Sequence, residues 1–184
     1  MESQDTKGRI VKETFPSEIV SIVGDILAGV ILTFILLNFK SFILLILIIP
    51  ALLSLRGNLS GPFIARTSKD LIIGEFDKRS WMESVLSTYA LSIVTAILIG
   101  IFSILLDLFL IKKKILSMEM LIIIPLIAIL FTLSISIPTS TFLNFLAFRF
   151  GLNPNNIVNP IMTAIDDFFT IICFYLTLLI LGVP

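Results

Sequence analysis

Five apolar stretches divided by short polar joints take up nearly all of the chain beyond residue 16. A helix needs about 20 predominantly apolar residues to cross the ~30 Å hydrocarbon core of a bilayer, and four of the stretches are that long. The first runs from Ser17 to Leu37, after a helix start at Pro16-Ser17-Glu18. The third runs from Ser84 to Leu110, carries no charge before Asp107, and is closed by Lys112-Lys113-Lys114. The fourth, Met120 to Phe148, is uncharged; Pro125 and Pro138 are expected to kink it, with nearby Ser and Thr hydroxyls available to the backbone groups that proline frees. The fifth, Ile157 to Val183, follows a turn and helix cap at Asn153-Pro154-Asn155-Asn156.

The second stretch differs. Ser41 to Leu55, entered by a tight turn at Asn38-Phe39-Lys40, is short for a span and contains Pro50. It gives way to Arg56-Gly57-Asn58-Leu59-Ser60-Gly61-Pro62 and then to Ala65-Arg66-Thr67-Ser68. A short helix interrupted by Pro and Gly, then polar backbone, is the pattern of a discontinuous helix that lines a transport site. The pattern predicts an all-α polytopic membrane protein with five transmembrane helices per chain, the second of them broken. Residues 1–16 are expected to form a cytoplasmic tail or short interfacial helix, and residues 17–184 the membrane domain.

Composition strengthens this picture. Apolar residues make up 57% of the chain and charged residues 14%, where soluble domains have about 25% charged; the mean hydropathy is +1.10. The formal net charge is zero, so nothing points to nucleic acid. Histidine is absent, which removes imidazole ligands, the usual proton shuttle and any triad. The single cysteine, Cys173, forms no internal disulfide and reads as packing. The first stretch is longer than the apolar region of a signal peptide, so it is expected to remain as an anchor. Trp81 reads as an interfacial anchor.

Five spans put the termini on opposite sides. With the N-terminus in the cytoplasm, Lys7, Arg9, Lys12, Arg56, Arg66, Lys69, Lys78, Arg79 and Arg149 fall inside, against Lys40, Lys112, Lys113 and Lys114 outside. Nine basic residues against four favour that orientation.

The candidate chemistry lies in the last stretch. Asp166 and Asp167 follow Ile157 by about ten residues, roughly 15 Å of helix, which places both carboxylates near mid-membrane. A charge there costs at least ~2.5 kcal/mol, so such residues face a bundle interior or a hydrated path. Thr163, Asp167, Thr170 and Thr177 share a helical stripe, and an oxygen-lined face with a carboxylate suits a hydrated cation. Asp166 points about 100° away, towards Met162, Phe169 and Cys173, and is left protonated, paired with a base, or set against another helix. Asp25 and Asp107 lie closer to the interfaces, where snorkelling or capping is expected. Oxygen-only ligands point to Mg²⁺, Ca²⁺, Mn²⁺ or Na⁺ rather than zinc or copper. Mg²⁺ keeps its waters and needs only one or two carboxylates; one Asp167 from each of two subunits would balance it, which predicts a two-fold axis through the pore.

Two segments resemble a known family. Pro50-Ala51-Leu52-Leu53-Ser54-Leu55-Arg56-Gly57-Asn58-Leu59, running on to Ala65-Arg66-Thr67-Ser68, resembles the signature of MgtE-type magnesium transporters and is closest to their eukaryotic solute-carrier relatives. Asn153 to Thr163, with Asp167 beyond Pro160, resembles the same family's final helix. The resemblance implies a divalent-cation channel or transporter, Asp167 as the ion's ligand in the pore, and Gly57-Asn58 shaping the pathway beside it. With Thr163, Thr170 and Asp166 these complete the candidate metal site, for Mg²⁺ or another hard divalent cation such as Mn²⁺. MgtE proteins carry a large cytoplasmic magnesium sensor where this sequence has a short tail, so their gating is not expected to carry over. The eukaryotic relatives fuse two such units, so a single unit implies a homodimer in the cell membrane. The alternatives are an intramembrane aspartate-dependent enzyme, which is not the expectation, and a non-transporting membrane subunit.

Overall fold

The computed structural model describes residues 6–36, 42–112 and 116–183. These residues form five helices and, among them, no strand: α1 (Lys7–Leu36), α2 (Phe42–Ile73), α3 (Lys78–Leu106), α4 (Met118–Arg149) and α5 (Pro154–Ile180). Four of the five, all but α2, are long and apolar enough to cross a membrane by length and composition. The expected turn at Asn38-Phe39-Lys40 lies outside the described residues.

The joints follow from local chemistry. Asp77 caps α3 by accepting the backbone N–H of Arg79 at 3.1 Å and of Ser80 at 3.4 Å, and Ser117 caps α4 through the N–H of Met120. Asn153 caps α5 through the N–H of Asn155, with Pro154 at the first helical position, as the sequence predicts. α2 and α4 end at Gly74 (φ 75°) and Gly151 (φ 69°), in the left-handed conformation that glycine adopts without a Cβ clash. α3 closes in a wider π-type turn, Asp107–Ile111, that leaves Asp107 buried with its Oδ1 unpartnered.

The break expected in the second helix is not observed. α2 stays helical through Pro50 and Pro62 to Ile73, because a proline removes one backbone bond without ending a helix that its neighbours pack from several sides. Leu45, Ile48, Leu52, Leu55, Leu59 and Phe63 form one buried face of α2. They meet Leu121, Ile124, Ala128, Ile129, Leu133 and Ile137 of α4 and Phe174 and Leu178 of α5 in the main core. A consequence is that Arg56, counted above with an inner loop, belongs to the middle of α2 and is buried.

α3 packs on α4 and α2. A Cβ on Gly100 would lie 2.7 Å from Ile122 Cα, so glycine is what lets α3 and α4 approach. Trp81, partly buried at the start of α3, donates its indole N–H to Thr141 Oγ1 at 3.1 Å. α1 packs on α5 and barely touches α2; a methyl on Gly24 would collide with Ala164. The expected tail is helical from Lys7 and runs through Pro16 into α1.

Candidate functional site

α2 and α5 meet near their centres, where buried Arg56 of α2 reaches the two adjacent aspartates of α5. Arg56 is only 4% exposed. Its Nη1 lies 3.0 Å from Asp166 Oδ2, and its Nη2 is bonded to Asp167 Oδ1. Of the three roles left open for Asp166, pairing with a base is the one observed. Ser60, one turn beyond Arg56, donates to the same Asp166 Oδ2 at 3.0 Å, and Ser136 of α4 adds a further donor. A carboxylate with a guanidinium and two hydroxyls is fully served, which makes its deep burial tolerable.

The two aspartates differ in access. Asp166 is 1% exposed, whereas the side chain of Asp167 is 19% exposed. Their 100° separation on the helix accounts for this: Asp166 shares the inward face with Val158, Met162, Thr170, Phe174 and Thr177, all buried. The predicted stripe is therefore divided. Thr170 and Thr177 turn into the bundle, Thr177 bonding back to the Cys173 carbonyl and Thr170 keeping an unpartnered Oγ1. Thr163 stays with Asp167 at the edge, its hydroxyl on the Asn159 carbonyl at 3.0 Å. Asn159, Thr163 and Asp167, spaced by four, form an outward strip.

Across from this strip lies Gly57 of α2, which like the next residue, Asn58, is exposed. Pro62 brings no N–H to the Asn58 carbonyl, leaving that oxygen without its helical donor. A Cβ on Gly61 would sit 3.7 Å from Asn159 Oδ1, so the two helices are close enough there to enclose a narrow crevice. Arg56, Gly57, Ser60, Asn159, Thr163 and Asp166 line it. Thus Gly57, Thr163 and Asp166 line one crevice, Asp167 joins them through Arg56, Asn58 follows Gly57 on α2 without lining the crevice, and Thr170 turns into the bundle.

Three participants escaped sequence reasoning. Arg56 was placed in a loop because the second helix was expected to end before it. Asn159 lies four residues before Thr163, so extending the stripe backwards would have found it. Asp25, expected at an interface, lies close enough to act electrostatically on Asp167; it accepts from Ser21 at 3.5 Å and has a buried, unpartnered Oδ1. The Gly24–Ala164 approach brings this part of α1 onto α5.

A second polar cluster fixes the start of α5. Glu13 accepts the backbone N–H of Asn153 at 3.3 Å and the side-chain amide of Asn156 at 3.0 Å. Arg9 bonds Glu13 and the Gly151 carbonyl. Ser17 donates to the Asn156 carbonyl at 3.1 Å, the oxygen that Pro160 deprives of its helical partner.

Among the described residues, no group of three or more Asp, Glu, Cys or His side chains is arranged to hold a metal ion. The site offers two adjacent carboxylates and neutral oxygens, a donor set suited to an ion that keeps most of its water. The sequence model of the MgtE family, described as divalent cation transporters, matches residues 49–177. That range takes in α3 and α4 whole, α2 from Ile49 onward and α5 as far as Thr177, and with them every residue of the α2–α5 site. No curated protein and no solved structure matches the chain.

Proposed function

This chain belongs to the MgtE family of divalent cation transporters, and we propose that it carries a hard divalent cation, Mg²⁺ or else Mn²⁺, across the cell membrane between two copies of itself. The observation that carries this reading is the polar strip of Asn159, Thr163 and Asp167, exposed at Asn159 and half-buried at Thr163 and Asp167, which faces Gly57 of α2 and reaches the middle of α5 at Asp167. A carboxylate facing lipid at that depth would cost at least ~2.5 kcal/mol. A second copy across a two-fold axis would cover the strip and bring a second Asp167 to the same place, so that two carboxylates offset the ion's two charges.

In this reading all five helices cross the membrane, α2 included, with the N-terminus cytoplasmic and the C-terminus outside. Asp167 is the central ligand and acts through the ion's water shell. Thr163, Asn58 and Asn159 offer oxygens along the path, and Gly57 keeps it open. The shared guanidinium favours an ion site over acid–base catalysis, since a catalytic carboxylate pair shares a proton between facing groups.

The test is uptake of Mg²⁺ into liposomes holding a magnesium-sensitive dye, with wild type and Asp167→Asn side by side under an inward gradient. Wild-type uptake that the variant loses is the expected result. Equal uptake by both removes Asp167 from the path, and no uptake by folded wild type, with Na⁺ or pH gradients also applied, overturns the transport reading.

A further inference from the structure

The proposed ion path already contains a cation that belongs to the chain. Arg56 reaches from the middle of α2 to both aspartates, one guanidinium nitrogen on each. Each carboxylate takes one charge-assisted bond from the planar guanidinium, and such bonds are about twice as strong as neutral ones. The remaining nitrogen, Nε, is buried and has no partner, so the group's bonding is concentrated on the aspartates. Two carboxylates against one guanidinium leave the pair one charge negative, and Asp25 adds further negative potential at Asp167.

The two contacts are not equivalent. Asp166 is enclosed and is also held by Ser60 and Ser136, whereas Asp167 lies at the open edge. An ion arriving along the strip meets Asp167 first and finds it bonded to Nη2. Releasing that bond leaves Arg56 on Asp166 through Nη1, so no buried charge is orphaned. We infer that Arg56 is a tethered competitor for Asp167 that selects the ion by valence, with Asp166 as its anchor. A monovalent ion carries the same charge as the guanidinium without its two-point attachment, and does not displace it. A divalent ion has twice the Coulomb attraction at a given distance, and does. The adjacency of the two aspartates thereby gains a reason: one holds the competitor while the other exchanges it for the ion.

The inference rests on the transport reading, and its test separates the two. Arg56→Lys keeps the charge but replaces the planar two-nitrogen fork with a compact ammonium on a flexible stem, whose hold on the two carboxylates is less pre-organised; Arg56→Gln removes the charge. The measurements are Mg²⁺ uptake and Na⁺ leak in liposomes, and the Mg²⁺ concentration that half-saturates thermal stabilisation in detergent. For Arg56→Lys we expect that concentration to fall about tenfold, equivalent to ~1.4 kcal/mol of lost competition, with a Na⁺ leak absent from wild type. Arg56→Gln, where it folds, should show both changes more strongly. Folded Arg56→Lys with unchanged or weakened Mg²⁺ stabilisation and no leak overturns the inference while wild-type transport stands. Wild type that moves no divalent ion overturns the transport reading and the inference with it.

Discussion

Replacing Asp166 and Asp167 one at a time by alanine should separate anchoring from ion handling. Asp166 is 1% exposed, and its Oδ2 takes Arg56 Nη1 and Ser60 Oγ, both at 3.0 Å. Removing one partner of a buried ion pair costs ~3–5 kcal/mol. Because Arg56 keeps Asp167, the lower end applies to Asp166→Ala, about 3 kcal/mol. At roughly 2–4 °C per kcal/mol for a chain of this size, the midpoint of thermal unfolding should fall by about 6–12 °C. Asp167 makes one bond from a part-buried site that is 19% exposed, so its pair falls between the ~0.2–1 kcal/mol of exposed pairs and the ~3–5 kcal/mol of buried ones. Asp167→Ala should therefore cost about 1–2 kcal/mol, or about 2–8 °C, less than Asp166→Ala, and yet abolish Mg²⁺ uptake. The fluorescence of Trp81, the chain's single tryptophan, reports unfolding in detergent, and the dye-loaded liposome assay reports uptake. Equal midpoint losses, or the larger loss in Asp167→Ala, would refute the division of roles.

Two further outcomes follow from the α3–α4 packing and from the polar cluster at the start of α5. Gly100→Leu forces a Cβ to within 2.7 Å of Ile122 Cα and 2.9 Å of the Leu121 carbonyl; overpacking of this kind costs ~1–3 kcal/mol or more, seen as a lower unfolding midpoint than Gly100→Ala gives. Glu13→Ala removes the acceptor of the Asn153 and Asn156 donors, worth ~1 kcal/mol, so amide exchange should quicken over residues 8–16 while the core amides of α4 keep their protection.

Much of the fold was legible because long apolar runs have few alternatives: the third, fourth and fifth stretches reappear as α3, α4 and α5 within a few residues at most ends. The second was misjudged where local and tertiary preferences conflict. Pro50, Gly57, Gly61 and Pro62 all disfavour helix in isolation, yet the apolar face from Leu45 to Phe63 is continuous at helical spacing and its burial decides. That error concealed Arg56, because a base in an expected loop is not matched with carboxylates in a distant helix. The stripe favoured Asp167 over Asp166 as a ligand, and the structure makes Asp167 the more accessible of the two. Thr170 was not separable from it, since a residue three positions on lies between the two faces and only the packing of α4 against α5 assigns it inward. Asp25 depends on the α1–α5 contact at Gly24, which hydropathy does not encode.

The claim on which the rest depends is that the strip of Asn159, Thr163 and Asp167 faces a second copy across the ion's path. A Cys173→Ala chain carrying Thr163→Cys, reconstituted in lipid and treated with a short bifunctional thiol reagent, tests it directly. Leu98→Cys, on the exposed side of α3, serves as the control. A dimer-sized product from Thr163→Cys alone, with its yield altered by Mg²⁺, is the expected result. Absence of that product from a folded Thr163→Cys protein, or an equal yield from Leu98→Cys, would contradict the two-fold path.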